Sequence, residues 1–144
     1  LLTVFLSGGM TGLTRDEMTG WRDKIKTCST FYDMKVISPP NYFMGGFNYY
    51  NEDKESFVFD TNWVKKSDVV IANMNSPKSI GTAQEIMLAY EYNKPILMIS
   101  TKEKWENEVN CWLKHEATTV FFYDDYDDEN DLYEDIVDYA AMYE

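Results

Sequence analysis

Five short runs of consecutive apolar residues recur along the chain, and between them apolar positions return every three or four residues. The runs Thr3 to Ser7, Met34 to Ser38, Asp68 to Met74, Pro95 to Ile99 and Thr118 to Tyr123 predict strands. Thr14-Arg15-Asp16-Glu17 has the capping-box pattern, and Met18, Trp21 and Ile25 follow it at helical spacing. Helices are also predicted over Lys54 to Lys66, Gly81 to Tyr92, Trp105 to His115 and Asn130 to Tyr143, the last with Leu132, Ile136, Val137 and Ala140 on one face. Short apolar strands alternating with helices predict an α/β fold: a flavodoxin-like or Rossmann-like three-layer sandwich around a five-stranded parallel sheet. No repeat or linker divides the chain, so one domain over 1–144 is expected, closed by an acidic helix at about 124–144.

In such sheets ligands sit outside the carboxyl ends of the strands, where strand order reverses. Three loops lie at those ends: Gly8-Gly9-Met10-Thr11-Gly12, the aromatic segment Asn41 to Asp53, and Asn73 to Glu85. The aromatic segment is long for a plain connection and could close over a site, with Tyr42, Phe43, Phe47, Tyr49 and Tyr50 able to stack on a base or to pack in the core.

Composition narrows the classes. With 44% hydrophobic and 16% aromatic residues the chain is globular. No run reaches the length of a membrane span, and the glycine-broken N-terminus does not read as a leader, so a soluble, cytoplasmic protein is expected. Two cysteines and a single histidine, His115, make a metal centre or a Ser-His or Cys-His triad a poor expectation. The net charge of −12 comes mainly from the C-terminal 124–144, with ten acids and no base; the rest holds 13 basic against 15 acidic residues. That balance disfavours nucleic acid and anionic membrane as partners. The acidic stretch reads as a solvated helix face, with an acidic interaction module as the alternative.

Candidate chemistry follows from the loops. The glycine-rich segment departs from both dinucleotide and Walker spacings; it can bring backbone amides close to an anion or a sugar, or simply turn the chain. In Ser79-Ile80-Gly81-Thr82-Ala83-Gln84-Glu85, Glu85 is expected in the first turn of a helix facing the crevice, where the helix dipole would favour an ionised, nucleophilic carboxylate. Thr82-x-x-Glu85 is equally a capping-box pattern, which would leave Glu85 a structural role. Asp60 supplies a second carboxylate, either surface charge or the partner that glycosidic cleavage uses.

Asp60-Thr-Asn-Trp-Val-Lys-Lys-Ser-Asp-Val-Val-Ile-Ala-Asn73, then Ser79 to Glu85, then Lys94-Pro-Ile-Leu97, together resemble the core signature of the nucleoside 2-deoxyribosyltransferase family, and Phe5-Leu-Ser-Gly8-Gly-Met10 resembles its first-strand loop. The resemblance spans about residues 3 to 100. It implies a flavodoxin-like fold, a homo-oligomer of two or more subunits, no cofactor, and cleavage of a 2′-deoxynucleoside's N-glycosidic bond, with the sugar passing to another nucleobase. Carried over by position, it makes Glu85 the nucleophile and Asp60 the supporting acid, with Gly8 and Met10 lining the pocket. Asn110 corresponds to a residue that members lend to a neighbouring subunit's site.

Two positions depart from the transferases. Phe5 stands where a tyrosine usually approaches the nucleophile, so Glu85 must be oriented by something else. Ser79 stands where an aspartate usually contacts the base. Serine there, with Asp60-x-Asn62-Trp63, resembles the related 2′-deoxynucleoside 5′-monophosphate N-glycosidases, in which water is the acceptor and the serine meets the phosphate. Thr11 replaces the arginine of those hydrolases; Thr11 and Ser79 can hydrogen-bond a phosphate without neutralising it, and Lys78 could help. Gly81 opens the helix beside this group. The alternatives are therefore a nucleotide N-hydrolase and, motivated by Phe5, a nucleotide-binding protein without efficient chemistry.

Overall fold

A computed structural model describes residues 1–43 and 53–144. In chain order it contains β1 (Leu2–Gly8), α1 (Arg15–Ser29), β2 (Met34–Ile37), α2 (Pro40–Phe43), α3 (Asp53–Lys66), β3 (Val69–Asn73), α4 (Ile80–Glu91), β4 (Ile96–Ser100), α5 (Lys102–Asn107), α6 (Cys111–Glu116), β5 (Thr119–Phe122) and α7 (Glu129–Ala141), with a single 3₁₀ turn at Tyr123–Asp125. The strands form one all-parallel sheet in the order β2-β1-β3-β4-β5, the flavodoxin-like arrangement. The predicted aromatic flap lies mostly outside the described residues; its first residues form α2.

Two apolar layers sandwich the sheet. On one face Leu2, Val4 and Leu6 of β1 meet Trp21 and Ile25 of α1 and Leu132, Ile136, Val137 and Ala140 of α7. On the other, Phe5, Val70, Ala72 and Met98 meet Val64 of α3, Ile86 and Ala89 of α4 and Leu113 of α6. β3 and β4 are buried along their whole length, which is why each reads as an unbroken apolar run. α7 therefore contributes its apolar stripe to the core while its acids face outward.

The local signals at α1 are realised as read. Thr14 Oγ1 accepts from the Glu17 amide at 3.2 Å, and the Glu17 carboxylate accepts from the Thr14 amide at 3.1 Å. The expected single helix over Trp105 to His115 is instead two short ones. Thr101 caps the first, Val109 turns into the core, and the Asn110 side chain accepts from the Trp112 amide at 2.9 Å to start the second. An apolar anchor followed by a new cap breaks a pattern that periodicity alone reads as continuous.

The register places the carboxyl ends of β1 and β3 level, Gly8 opposite Asn73. The chain leaves β1 towards β2 on one side and returns to β3 on the other, so a crevice opens between them. α4 begins beside it.

Candidate active site

Alternation along β1 puts Ser7 on the same face as Phe5, one pleat nearer the crevice. Ser7 is 1% exposed, and its hydroxyl donates to Glu85 Oε1 at 2.7 Å across 78 positions of sequence. This contact corrects two expectations for Glu85. The cap of α4 is Ser79, whose Oγ accepts from the Thr82 amide at 3.3 Å, so Glu85 lies in the second turn and forms no capping box. Its carboxyl group is turned into the crevice.

There it meets Asp60 from α3. The two carboxyl groups lie within reach of each other, each acting on the other's proton, while Asp60 Oδ1 is buried with no hydrogen-bond partner among the described residues. Burial is the main force raising Glu85, to about 8, with the Asp60 charge adding to it; the Ser7 hydrogen bond and Arg22 pull the other way. Burial also raises Asp60, to about 6, opposed by Glu85 and by Arg22. Burial works against the helix dipole here. In the second turn its influence has faded, and desolvation wins.

Arg22, which sequence reasoning passed over, supplies the opposing charge. Its side chain is almost wholly buried; Nη1 donates to the Met18 carbonyl at 2.6 Å and Nη2 to the Gly8 carbonyl at 3.2 Å, while Nε has no partner among the described residues. Burial lowers its pKa to about 10, against the pull of Glu85 and Asp60, so it remains a cation at neutral pH. A buried cation beside two carboxyl groups stabilises their charged forms and limits how far burial can raise them.

Two hollows adjoin the pair. One, of about 410 Å³, runs between α3 and α4 and is lined by Phe57, Asp60, Thr61, Gln84, Glu85 and Leu88. The other, of about 590 Å³, lies over the glycine loop and the start of α4, where Gly9, Met10, Thr11, Lys78, Ser79 and Lys104 face it. Gly81 lines both, so the hollows meet beside Glu85. Each falls within the roughly 300–1,000 Å³ of small-molecule sites. Lys104 donates to the Asn75 carbonyl at 3.1 Å, and Asn75 Oδ1 accepts from the Gly9 amide at 3.1 Å, which ties the glycine loop to the strand ends.

The structure thus brings together Glu85 and Asp60, and beside them Met10, Thr11, Ser79 and Gly81. The other three named residues line neither of these two hollows. Gly8 is buried behind the crevice, where an added Cβ would lie 2.9 Å from Trp21 Cζ2 and 3.3 Å from Arg22 Nη2, so close packing requires glycine there. Asn62 is exposed on α3 and lines neither hollow. Asn110 caps α6 and lines a third hollow, with Met87 and Trp112, which adjoins the one over the glycine loop along Lys78, Ser79 and Ile80. Ser7 and Arg22 left faint sequence signals: a polar residue on the inward face of an apolar strand, and a charge on the stripe of Met18, Trp21 and Ile25. Lys104 left none. Among the described residues no group of three or more His, Cys, Asp or Glu side chains could hold a metal ion, and no helix is long and apolar enough to cross a membrane.

No protein-family model matches the chain, and no curated protein does. Solved structures share its fold. A conserved protein from Enterococcus faecalis V583 superposes with a TM-score of 0.69 at 15% identity, over 99% of this chain and 98% of that one. A CMP N-glycosidase from Clostridium botulinum gives 0.65 at 18%, over 95% and 98%. A 2-deoxyribosyltransferase from Bacillus psychrosaccharolyticus gives 0.65 at 18%, over 91% and 90%. The class these observations define is a flavodoxin-like α/β protein with a pair of buried carboxyl groups at its topological switch point.

Proposed function

We propose that this chain is an enzyme of the nucleoside 2-deoxyribosyltransferase family that cleaves the N-glycosidic bond of 2′-deoxyribonucleosides and passes the deoxyribose to a second nucleobase. The observation that carries this reading is the Glu85–Asp60 pair, two buried carboxyl groups in a crevice with room for a nucleoside. The motif resemblance, and a fold common to an N-glycosidase and a deoxyribosyltransferase, support it.

The pair accounts for both halves of the reaction. With substrate bound, Asp60 holds a proton and Glu85 is left as carboxylate. A Glu85 oxygen bonds to C1′ as the C1′–N bond breaks, and the proton passes from Asp60 to the departing base nitrogen. In return, a second base attacks C1′, its N–H proton goes to Asp60, and Glu85 leaves as carboxylate. No cofactor enters these steps. The apolar face formed by Ile80, Met87, Tyr90 and Trp112, all exposed, fits a homo-oligomer, in which Asn110 could reach a neighbouring copy's site. The expected setting is the cytoplasm.

A second reading, hydrolysis of 2′-deoxynucleoside 5′-monophosphates with water as acceptor, is favoured by Lys104. Together with Lys78 it brings positive charge to the hollow that holds Thr11 and Ser79, where sequence alone offered Lys78 as the only cation. Chromatography of the protein with each deoxynucleoside, each deoxynucleoside monophosphate and cytidine 5′-monophosphate, with and without a free base, separates the readings. A new nucleoside formed only with acceptor supports transfer. Free base from monophosphates alone supports hydrolysis, and no turnover of any of them contradicts both.

A further inference from the structure

We infer that Ser7 is the positioning residue of Glu85: its hydroxyl fixes the direction in which the carboxyl group faces the crevice. The inference rests on the function proposed for Glu85, and its geometry stands independently of that function. Glu85 has two rotatable bonds beyond Cβ, and α4 alone does not determine where its carboxyl group points. The Ser7 hydroxyl does, by donating at 2.7 Å to one named oxygen, Oε1.

The donor is itself rigid. Ser7 is 1% exposed, and its Cα lies in register with Ala72 of β3, two residues beyond the last β1–β2 pair at Phe5. The next residue, Gly8, has its carbonyl held by Arg22 Nη2, and Arg22 is anchored in turn to the Met18 carbonyl. A chain of short contacts thus runs from α1 through the end of β1 to the carboxyl group. One residue earlier on the same face, the Phe5 side chain is fully buried in the core and carries no hydroxyl, so it can offer Glu85 no such donor. Ser7 does what Phe5 cannot.

A hydroxyl can donate to a carboxylate at full strength, whereas to a carboxylic acid it offers a weaker bond. Ser7 therefore favours ionised Glu85, in the same sense as Arg22 from α1 and against Asp60 from α3; among the described residues these are the charged and polar groups whose influence reaches the Glu85 carboxyl group. Its two effects, aim and charge, both serve a nucleophile.

Ser7→Ala removes one oxygen from a buried strand position and leaves the packing in place. The first readout is the side-chain carboxyl ¹³C signal of Glu85, titrated in the resting protein. In Ser7→Ala its midpoint rises by about one pH unit, because a hydrogen bond to the charged form is lost. The second readout is turnover, with kcat falling about tenfold or more while KM stays within about threefold, since aim matters at bond formation rather than at binding. An unchanged midpoint overturns the inference, as does an unchanged kcat in a protein that turns over substrate. If the parent protein releases no base, the proposed function falls, and the titration still decides the role of Ser7.

Discussion

Replacing Glu85 by glutamine should change stability by an amount that depends on pH, in the variant's favour at alkaline pH. The folded protein holds the Glu85 proton more tightly than the unfolded chain does, since burial and Asp60 raise it from 4.5 to about 8. Unfolding therefore releases a proton between those values, and the parent loses stability as pH rises from about 4.5 to about 8, then levels off. Each tenfold displacement is worth about 1.4 kcal/mol, so the whole is about 5 kcal/mol if Glu85 bears it alone. The glutamine amide has a burial cost of its own, about 2 kcal/mol, partly offset because it can donate to Asp60 and accept from Ser7. Near pH 4.5, where Glu85 is neutral and only the amide cost remains, the variant is about 2 kcal/mol less stable than the parent; at pH 9 its net gain is about 3 kcal/mol. For a chain of this size that is roughly 10 °C in Tm. Thermal and urea unfolding from pH 4.5 to 9, followed by tryptophan fluorescence, would measure it. Parallel curves for parent and variant would refute the reasoning, because they would mean that Glu85 is solvated and carries no burial cost.

Three further outcomes are expected. The pair is competent with one proton, so kcat/KM against pH should be bell-shaped, with limbs near 6 and 8; a profile flat across pH 5 to 9 would contradict that state. Gly8→Ala should destabilise by about 1–3 kcal/mol in chemical denaturation, because its Cβ would press on the Trp21 ring and the Arg22 guanidinium; a neutral effect would show that α1 is loosely held. Lys104→Ala should raise KM for deoxynucleoside monophosphates about tenfold in steady-state kinetics and leave nucleosides unaffected. Equal effects on both would remove Lys104 from phosphate binding.

How far the sequence spoke depends on the range of the interaction. The strands and α7 were legible because burial on two faces, or on one stripe, writes itself into consecutive residues: Val69 to Ala72 for the first, Leu132 to Ala140 for the second. The cap of α1 was legible because Thr14 and Glu17 are neighbours. Glu85 and Asp60 were legible as candidates through motif, but not their state. Residue type and position suggested a carboxylate ionised by the helix start, whereas the crevice walls impose desolvation, a property of the assembled fold. Ser7 and Arg22 escaped for the same reason, since their partners lie far off in sequence or in the backbone of another element. Gly8 was legible as a constrained position, because a glycine at a strand end serves close packing and ligand approach alike, but the packing reason needed the position of Trp21.

The central claim is that Glu85 attacks C1′, and the most direct measurement is to stop the reaction with acid and map the protein by mass. The protein is mixed with a deoxynucleoside or its monophosphate, quenched within the first turnover and digested, and the peptides are sequenced by tandem mass spectrometry. The account predicts a deoxyribosyl or deoxyribosyl-phosphate ester on Glu85, absent from Glu85→Ala, which also releases no base. Base release at the parental rate by Glu85→Ala, or an ester on another residue, would contradict it.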